Sequence, residues 1–194
     1  MLVQHEEARN KIIEIARSIF SHFGFKKTTM EEIATASRKG KSSIYYYFNN
    51  KEEIFKAVVE REAEELKAEL MTKIKETEDP KERLRIYILV RMRKLNNLTN
   101  FYSALKSDYL SHLDFIEQIR KTYDLEEIKM VSQIIQEGMD KGEFGVNDPQ
   151  LSAIAIVTAM KGLEVPMFTG NFQGDFEMRI NNVINFLFYG ILKR

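Results

Sequence analysis

The sequence predicts an all-helical protein, and three observations carry that fold class. Apolar side chains recur at spacings of three and four along nearly the whole chain. No stretch alternates cleanly with a period of two, and no Asn-Gly or Asp-Gly turn joins β-branched runs. Only three prolines and nine glycines interrupt the 194 residues.

Each element follows from its own end signals. The first helix carries Ala8, Ile12, Ile15, Ala16, Ile19, Phe20 and Phe23 on one stripe. It stops at Gly24, which suits the left-handed residue that closes helices, with Phe25 packing back on Phe20. Thr29-Met30-Glu31-Glu32 is a capping box: Thr29 and Glu32 satisfy each other's free backbone donors and start a short helix to about Ala36. Ser37-Arg38-Lys39-Gly40 is a tight turn, and a second short helix follows from Lys41 to Tyr47. Asn50 caps a long fourth helix, with Glu53 as its reciprocal acceptor, ending at about Glu76 before Asp79-Pro80. Further helices are expected from Pro80 to Asn96, Thr99 to Ser111, Asp114 to Lys141, Asp148 to about Leu163, and Asp175 to Leu192. The longest expected loop spans Val165 to Asp175.

Composition narrows the function. Basic and acidic residues balance at 29 each, yet the stretch through Lys51 holds nine basic side chains against five acidic, and the rest is acidic by the same margin of four. A basic amino-terminal quarter on an acidic body fits a small unit that meets a polyanion. Zero Cys excludes a disulfide framework, a thiolate zinc site and a Cys nucleophile together. No apolar run approaches the roughly 18 residues of a membrane span. The start, Met1-Leu2-Val3-Gln4-His5-Glu6-Glu7, turns acidic where a secretory signal needs a basic and then an apolar run. A soluble, cytoplasmic protein is expected.

Two short helices joined by a tight turn and buttressed by a longer amphipathic helix are a helix-turn-helix candidate. In such a unit the second short helix enters the major groove while its neighbours hold phosphates. Ile44 and Phe48, four apart, would face a small core with Ile33, Phe20 and Phe23. That leaves Lys41, Ser42, Ser43, Tyr45 and Tyr46 on or near the outer surface. Ser and Tyr hydroxyls donate to phosphate oxygens, Lys41 supplies charge, and Lys51 with the free N–H groups of the fourth helix makes an anion site. A Tyr beside the groove can also pack on a thymine methyl. Tyr45, Tyr46 and Tyr47 cannot all point inward, because successive helical residues lie about 100° apart.

The stretch Thr28-Thr29 through Glu32-Ile33-Ala34, then Lys41-Ser42-Ser43-Ile44-Tyr45-Tyr46-Tyr47-Phe48, then Asn50-Lys51-Glu52-Glu53-Ile54-Phe55, resembles the DNA-binding head of TetR-family transcriptional regulators. The likeness covers about 50 residues without a gap. It implies a three-helix helix-turn-helix DNA-binding domain over 1–50 and a larger helical effector-binding and dimerisation domain over 51–194, about nine helices in all. Thr29, Lys41, Ser43, Tyr45, Tyr47 and Lys51 would meet phosphates, and Ser42 and Tyr46 would lie closest to base edges. The turn departs from the family pattern, which places Gly, a small apolar residue and a Ser-like cap where this chain has Arg38, Lys39 and Gly40. Arg38 would take a position that favours positive φ, at a cost of about 1 kcal/mol for a non-Gly residue. Lys39 removes an apolar plug, and Gly40 caps without a side chain. Contact of Arg38 and Lys39 with DNA stays open.

The body resembles the family in helix count, in helix lengths and in the segment Glu137 to Phe144. Asp148 and Pro149 open a helix with Leu151, Ile154, Ala155, Thr158, Ala159 and Gly162, and the last helix carries Phe176, Ile180, Val183, Ile184, Leu187, Phe188 and Ile191. In the family these helices pair with their symmetry mates. The implied interface residues are Ala155, Ala159, Gly162, Ile180, Ile184, Leu187 and Phe188; an ordinary intrachain core is the other reading. A homodimer would set two recognition helices in successive major grooves about 34–36 Å apart, so the implied partner is double-stranded DNA with an inverted-repeat operator. Tyr87, Met92, Phe101, Tyr102, Tyr109, Phe115 and Tyr123 suit either a helical core or a small-molecule pocket whose ligand is apolar and weakly polar at one end.

The expected function is a DNA-binding regulator, most often a repressor in this family, released by a small apolar effector. The alternatives are a DNA-binding protein without an effector and a helical carrier of hydrophobic ligands that does not bind DNA. No enzyme, metal or cofactor is expected. His5, His22 and His112 are scattered, none has a Glu three residues before it, and no phosphate loop, HExxH or nucleophile elbow occurs.

Overall fold

A computed structural model describes residues 2–97, 113–168 and 175–190, with side chains over 4–94, 121, 123–163 and 175–190. Every element among the described residues is an α-helix: α1 Leu2–Phe23, α2 Met30–Ala36, α3 Lys41–Tyr47, α4 Lys51–Lys75, α5 Pro80–Asn97, α6 Leu113–Asp140, α7 Pro149–Phe168 and α8 Phe176–Tyr189. The helix expected over 99–111 lies outside them. Helix α7 continues past Leu163 to Phe168, where the sequence suggested a loop from Val165 onward. Pro166 lacks the N–H that the carbonyl of Gly162 would accept. Gly162 is exposed, so water can serve that carbonyl instead.

Contacts divide the chain into two units, one built on α1, α2, α3 and α4 as far as Glu64, the other on Glu65–Asn97 and the chain from Lys121 onward. The core of the first is made by Ile12, Ala16, Phe20, Ile33, Ile44, Ile54 and Val58, all 0% exposed. Phe25 lies 5.7 Å from Phe20 and 4.8 Å from Phe55, ring centre to ring centre, at tilted angles that aromatic pairs favour. Gly24 has φ 81° and its N–H donates to the carbonyl of Phe20, so the chain reverses and delivers Phe25 inward. Phe23, expected in the core, is 59% exposed. It precedes the reversal, and Phe25 takes the inward place.

Crossed ion pairs tie α1 to α4 within this unit. Arg17 Nε donates to Glu62 Oε1 at 3.1 Å, and Arg61 Nε lies 3.0 Å from Glu14 Oε1. The Glu62 side chain is only 3% exposed, so its pairing offsets a desolvation cost that a surface pair never meets.

The second unit packs Leu70, Ile74, Leu84, Tyr87, Ile88, Val90, Met92, Val131, Ile134, Ile135, Ala153, Val157, Met160, Ile180 and Ile184 into one core. A charge sits beside it. Arg91 on α5 is 2% exposed and donates through Nε to Glu127 Oε1 of α6 at 2.6 Å, while the Tyr87 hydroxyl donates to the same oxygen at 2.9 Å. Where α6 ends, Gly142 has φ 72° and the N–H groups of Glu143 and Phe144 return to the carbonyl of Gly138. The Phe144 ring occupies the space where a Cβ on Gly138 would stand. This gives the Glu137–Phe144 segment its physical reason: the missing side chain admits the ring.

Candidate nucleic-acid interface

The site begins with the capping box that starts α2. Glu32 N donates to Thr29 Oγ1 at 3.2 Å and Thr29 N to Glu32 Oε2 at 2.7 Å, as the sequence pattern implies. The turn then closes the end of α2. Arg38 adopts φ 52°, the left-handed conformation expected for it, and Lys39 N reaches back to the carbonyl of Ala34 at 3.0 Å. Gly40 caps α3 at φ −66° and ψ 152° with no side-chain bond.

Helix α3 has seven residues and buries one of them, Ile44, with Phe48 just beyond it 2% exposed. The rest of the helix therefore faces outward. Lys41, Ser42 and Ser43 are exposed, Tyr45 is 43% and Tyr46 72% exposed, and Tyr47 is half-buried. Lys39, Ser42, Ser43, Tyr46 and Tyr47 line a shallow cleft of about 270 Å³. Cations attend the rings: Lys39 Nζ lies 5.8 Å from the Tyr47 centroid and Lys41 Nζ 6.0 Å from that of Tyr45.

Three of the expected phosphate ligands already hold protein partners. Thr29 is exposed, but its hydroxyl is taken up within the capping box, also meeting Glu32 Oε2 at 3.0 Å. Lys41 pairs with Glu31. That hydrogen bond holds the Glu31 carboxyl below its ordinary range and pushes Lys41 above the usual lysine value. Lys51 is half-buried, donates to the carbonyls of Phe25 and Thr28 at 2.8 Å each, and sits 4.3 Å from the Phe25 ring centre. Asn50 caps α4 by accepting from Glu53 N at 2.8 Å. The Glu53 carboxylate accepts from Asn49, through backbone and side chain, which holds it below its ordinary range. The reciprocal partner is thus Asn49.

Two neighbours escaped the sequence reading. The His5 ring on α1 lies 5.4 Å from that of Tyr46 and 4.8 Å from that of Tyr47, and the Arg9 guanidinium lies 5.0 Å from the Phe48 ring centre. Their signal was present: residues 5 and 9 continue the helical stripe backward from Ile12 at spacings of four and three.

The other expected site residues fall in the second unit or outside the described residues. Tyr87 and Met92 are 0% exposed in the chain's own core, and Tyr123 is half-buried on α6. Phe101, Tyr102 and Tyr109, and the side chain of Phe115, lie outside the described residues. Ala155, Ala159 and Gly162 are exposed along α7, next to Leu151 at 64% and Ile154 at 39%. Ile180 and Ile184 are 1% and 3% exposed within the core, with Leu187 and Phe188 half-buried against it. The exposed large hydrophobic residues of α8 are Met178, Phe186 and Tyr189. Sequence reasoning also missed Arg91, although it stands four residues after Tyr87, on the same face of α5.

Comparison with known proteins agrees with this geometry. Residues 12–58 match bacterial regulatory proteins of the tetR family. The HTH-type transcriptional regulator YfiR of Bacillus subtilis is 27% identical over 157 residues, covering 78% of this chain and 75% of that one. The biofilm operon HTH-type negative transcriptional regulator IcaR of Staphylococcus epidermidis is 40% identical over 52 residues, 27% of this chain and 28% of its own. The fold is shared with the transcriptional regulator FadR of Bacillus subtilis, solved in complex with stearoyl-CoA, at a TM-score of 0.77 and 22% identity over 94% of this chain and 98% of that one. Among the described residues no helix is long and apolar enough to cross a membrane. The matched head and the regulator relatives lead to one conclusion: residues 12–58 carry the head described by the tetR family, and the chain is a DNA-binding transcriptional regulator.

Proposed function

We propose that the regulator binds an inverted-repeat operator as a cytoplasmic homodimer, represses transcription, and is released by a small apolar effector. Residues 1–50 act as the DNA-binding domain and 51–194 as the effector-binding and dimerisation domain. The observation that carries this reading is Tyr46: a ring 72% exposed on a helix that buries only Ile44, flanked by Ser42, Ser43 and two lysines. On this reading Ser42 and Tyr46 meet base edges, and Lys41, Ser43, Tyr45 and Tyr47 meet phosphates. Lys51 has two of its three N–H groups on backbone carbonyls and one remaining for a phosphate oxygen. Thr29 acts through the backbone it fixes.

The exposed apolar face of α7, with Ala155, Ala159 and Gly162 beside Leu151 and Ile154, supports dimerisation through this helix. Met178 and Phe186 are likewise exposed on α8. Repression is supported by the likeness to IcaR, a negative regulator. An effector with a long apolar chain is supported by the shared fold with the stearoyl-CoA complex. The protein acts by binding, without catalysing a reaction.

The test is selection of DNA from the genome, followed by titration of the selected duplex. Binding that falls steeply with salt, is lost in Lys41→Ala with Tyr45→Ala, and is released by stearoyl-CoA supports the whole reading. A double variant that binds the duplex as the wild type does overturns the DNA role of α3. Stearoyl-CoA without effect overturns a long-chain acyl-CoA as the effector and leaves the DNA role standing.

A further inference from the structure

Tyr46 is the most exposed large side chain on α3, yet its ring is held from outside that helix. The His5 imidazole meets it edge-on, with centroids 5.4 Å apart and planes at 73°. The same imidazole lies 4.8 Å from the Tyr47 ring at 45°, and the two tyrosines lie 5.1 Å apart at 87°. Three rings from two helices thus close a triangle. One turn further along α1, Arg9 sits over Phe48, so the start of α1 covers the carboxy-terminal half of α3. Lys39 adds a cation over Tyr47.

An exposed tyrosine ordinarily samples several χ1 rotamers, and entering a groove freezes it into one. A ring already held by aromatic neighbours loses less freedom on binding. We propose that His5 is a specificity-determining positioning residue: it presets the Tyr46 ring in the direction from which Tyr46 reads the operator. The inference rests on the reading above, in which Tyr46 meets base edges. His5 then contributes more to binding of the operator sequence than to binding of DNA in general, where it acts only through its contact with Tyr47, one of several phosphate-facing groups.

The experiment compares two duplexes of equal length, one that the wild-type protein selects from a random-sequence pool and one with its bases scrambled. His5→Ala is expected to weaken the selected duplex about three- to tenfold, the factor that freezing one side chain carries, and to weaken the scrambled duplex less, so that the ratio between them falls. His5→Phe, which keeps a ring, restores selective binding. Tyr46→Ala weakens the selected duplex, and His5→Ala added to it costs nothing more. The inference is overturned by an equal loss on both duplexes, by no loss in His5→Ala, or by losses that add in the double variant. A partly unfolded variant lowers both affinities together, so the ratio between the duplexes still decides. If Tyr46→Ala keeps the wild-type ratio, base reading by Tyr46 falls and takes this inference with it. If Tyr46→Ala loses selectivity while His5→Ala keeps it, only the role of His5 falls.

Discussion

Helices α3 and α5 handle the same residue types in opposite ways. On α3 two of three tyrosines stand out in solvent with serines and Lys41, and a single isoleucine anchors the helix. On α5 Tyr87, Ile88, Val90, Arg91 and Met92 are all buried, a charged residue among them. An outward aromatic keeps part of its ring open to another molecule, whereas an inward arginine has to find its partners within the chain. The surface of α3 is therefore free to serve as the proposed binding face, and the interior of α5 is held to one arrangement by the Arg91–Glu127–Tyr87 contacts.

The largest expected effect breaks the α5 side of this contrast. Glu127→Ala removes a countercharge of a 2% exposed guanidinium and should cost up to about 3–5 kcal/mol in urea denaturation. Arg91→Met with Glu127→Leu should return close to wild-type stability, since an apolar pair replaces a paired charge. A Glu127→Ala protein as stable as wild type would mean that the pair contributes nothing. On α3 the cost should appear in binding and leave folding intact. Tyr46→Ala should lose about 1–3 kcal/mol of operator affinity in titration while its melting temperature stays within a degree or two of wild type. A large drop in melting temperature would make Tyr46 a core residue and erase the contrast.

Gly138→Ala should match Tyr46→Ala in size, but in stability instead of binding. The added Cβ meets the Phe144 ring, which must swing away, and about 1–3 kcal/mol of stability should be lost. Gly138→Ala with Phe144→Ala should lose little beyond Phe144→Ala alone; if the losses simply add, the ring is not what the glycine accommodates.

The smallest effect sharpens the α3 side. On the proposed reading Lys41 meets phosphate in competition with Glu31, so Glu31→Gln should tighten binding to any duplex by roughly two- to fivefold. The pH dependence has a definite sign. The Glu31 carboxyl is lowered by Lys41, so the contribution of this exposed pair is present above the ordinary carboxylate range and is lost as pH falls through the lowered value. Lys41 is raised by Glu31, so at the alkaline end the contribution is complete below the ordinary lysine value and is lost as pH rises through the raised one. An NMR titration of Glu31 should move back toward the ordinary range in Lys41→Ala.

What was legible in the sequence was local. The Thr29–Glu32 box, the reversal at Gly24, the positive φ of Arg38 and the Asp148 cap are each set by residues within four positions of one another. The outward face of α3 followed from helical periodicity and the i, i+4 spacing of Ile44 and Phe48. Contacts that only tertiary packing creates were not legible. Lys51 reaches a carbonyl 26 residues back, and Arg91 finds its carboxylate 36 residues on. Polarity alone pointed Lys51 toward phosphate, and apolar stripes alone left Arg91 out of account. His5 lay on the right stripe, but nothing within reach of it in the chain announces a tyrosine.

The hook that Lys51 makes has a mechanical consequence. Its ammonium grips two carbonyls in the bend between α1 and α2, and the residue after that bend, Thr29, nucleates α2. One side chain at the first turn of α4 thus staples that helix to the bend where α2 begins, and its loss would leave both carbonyls without this donor.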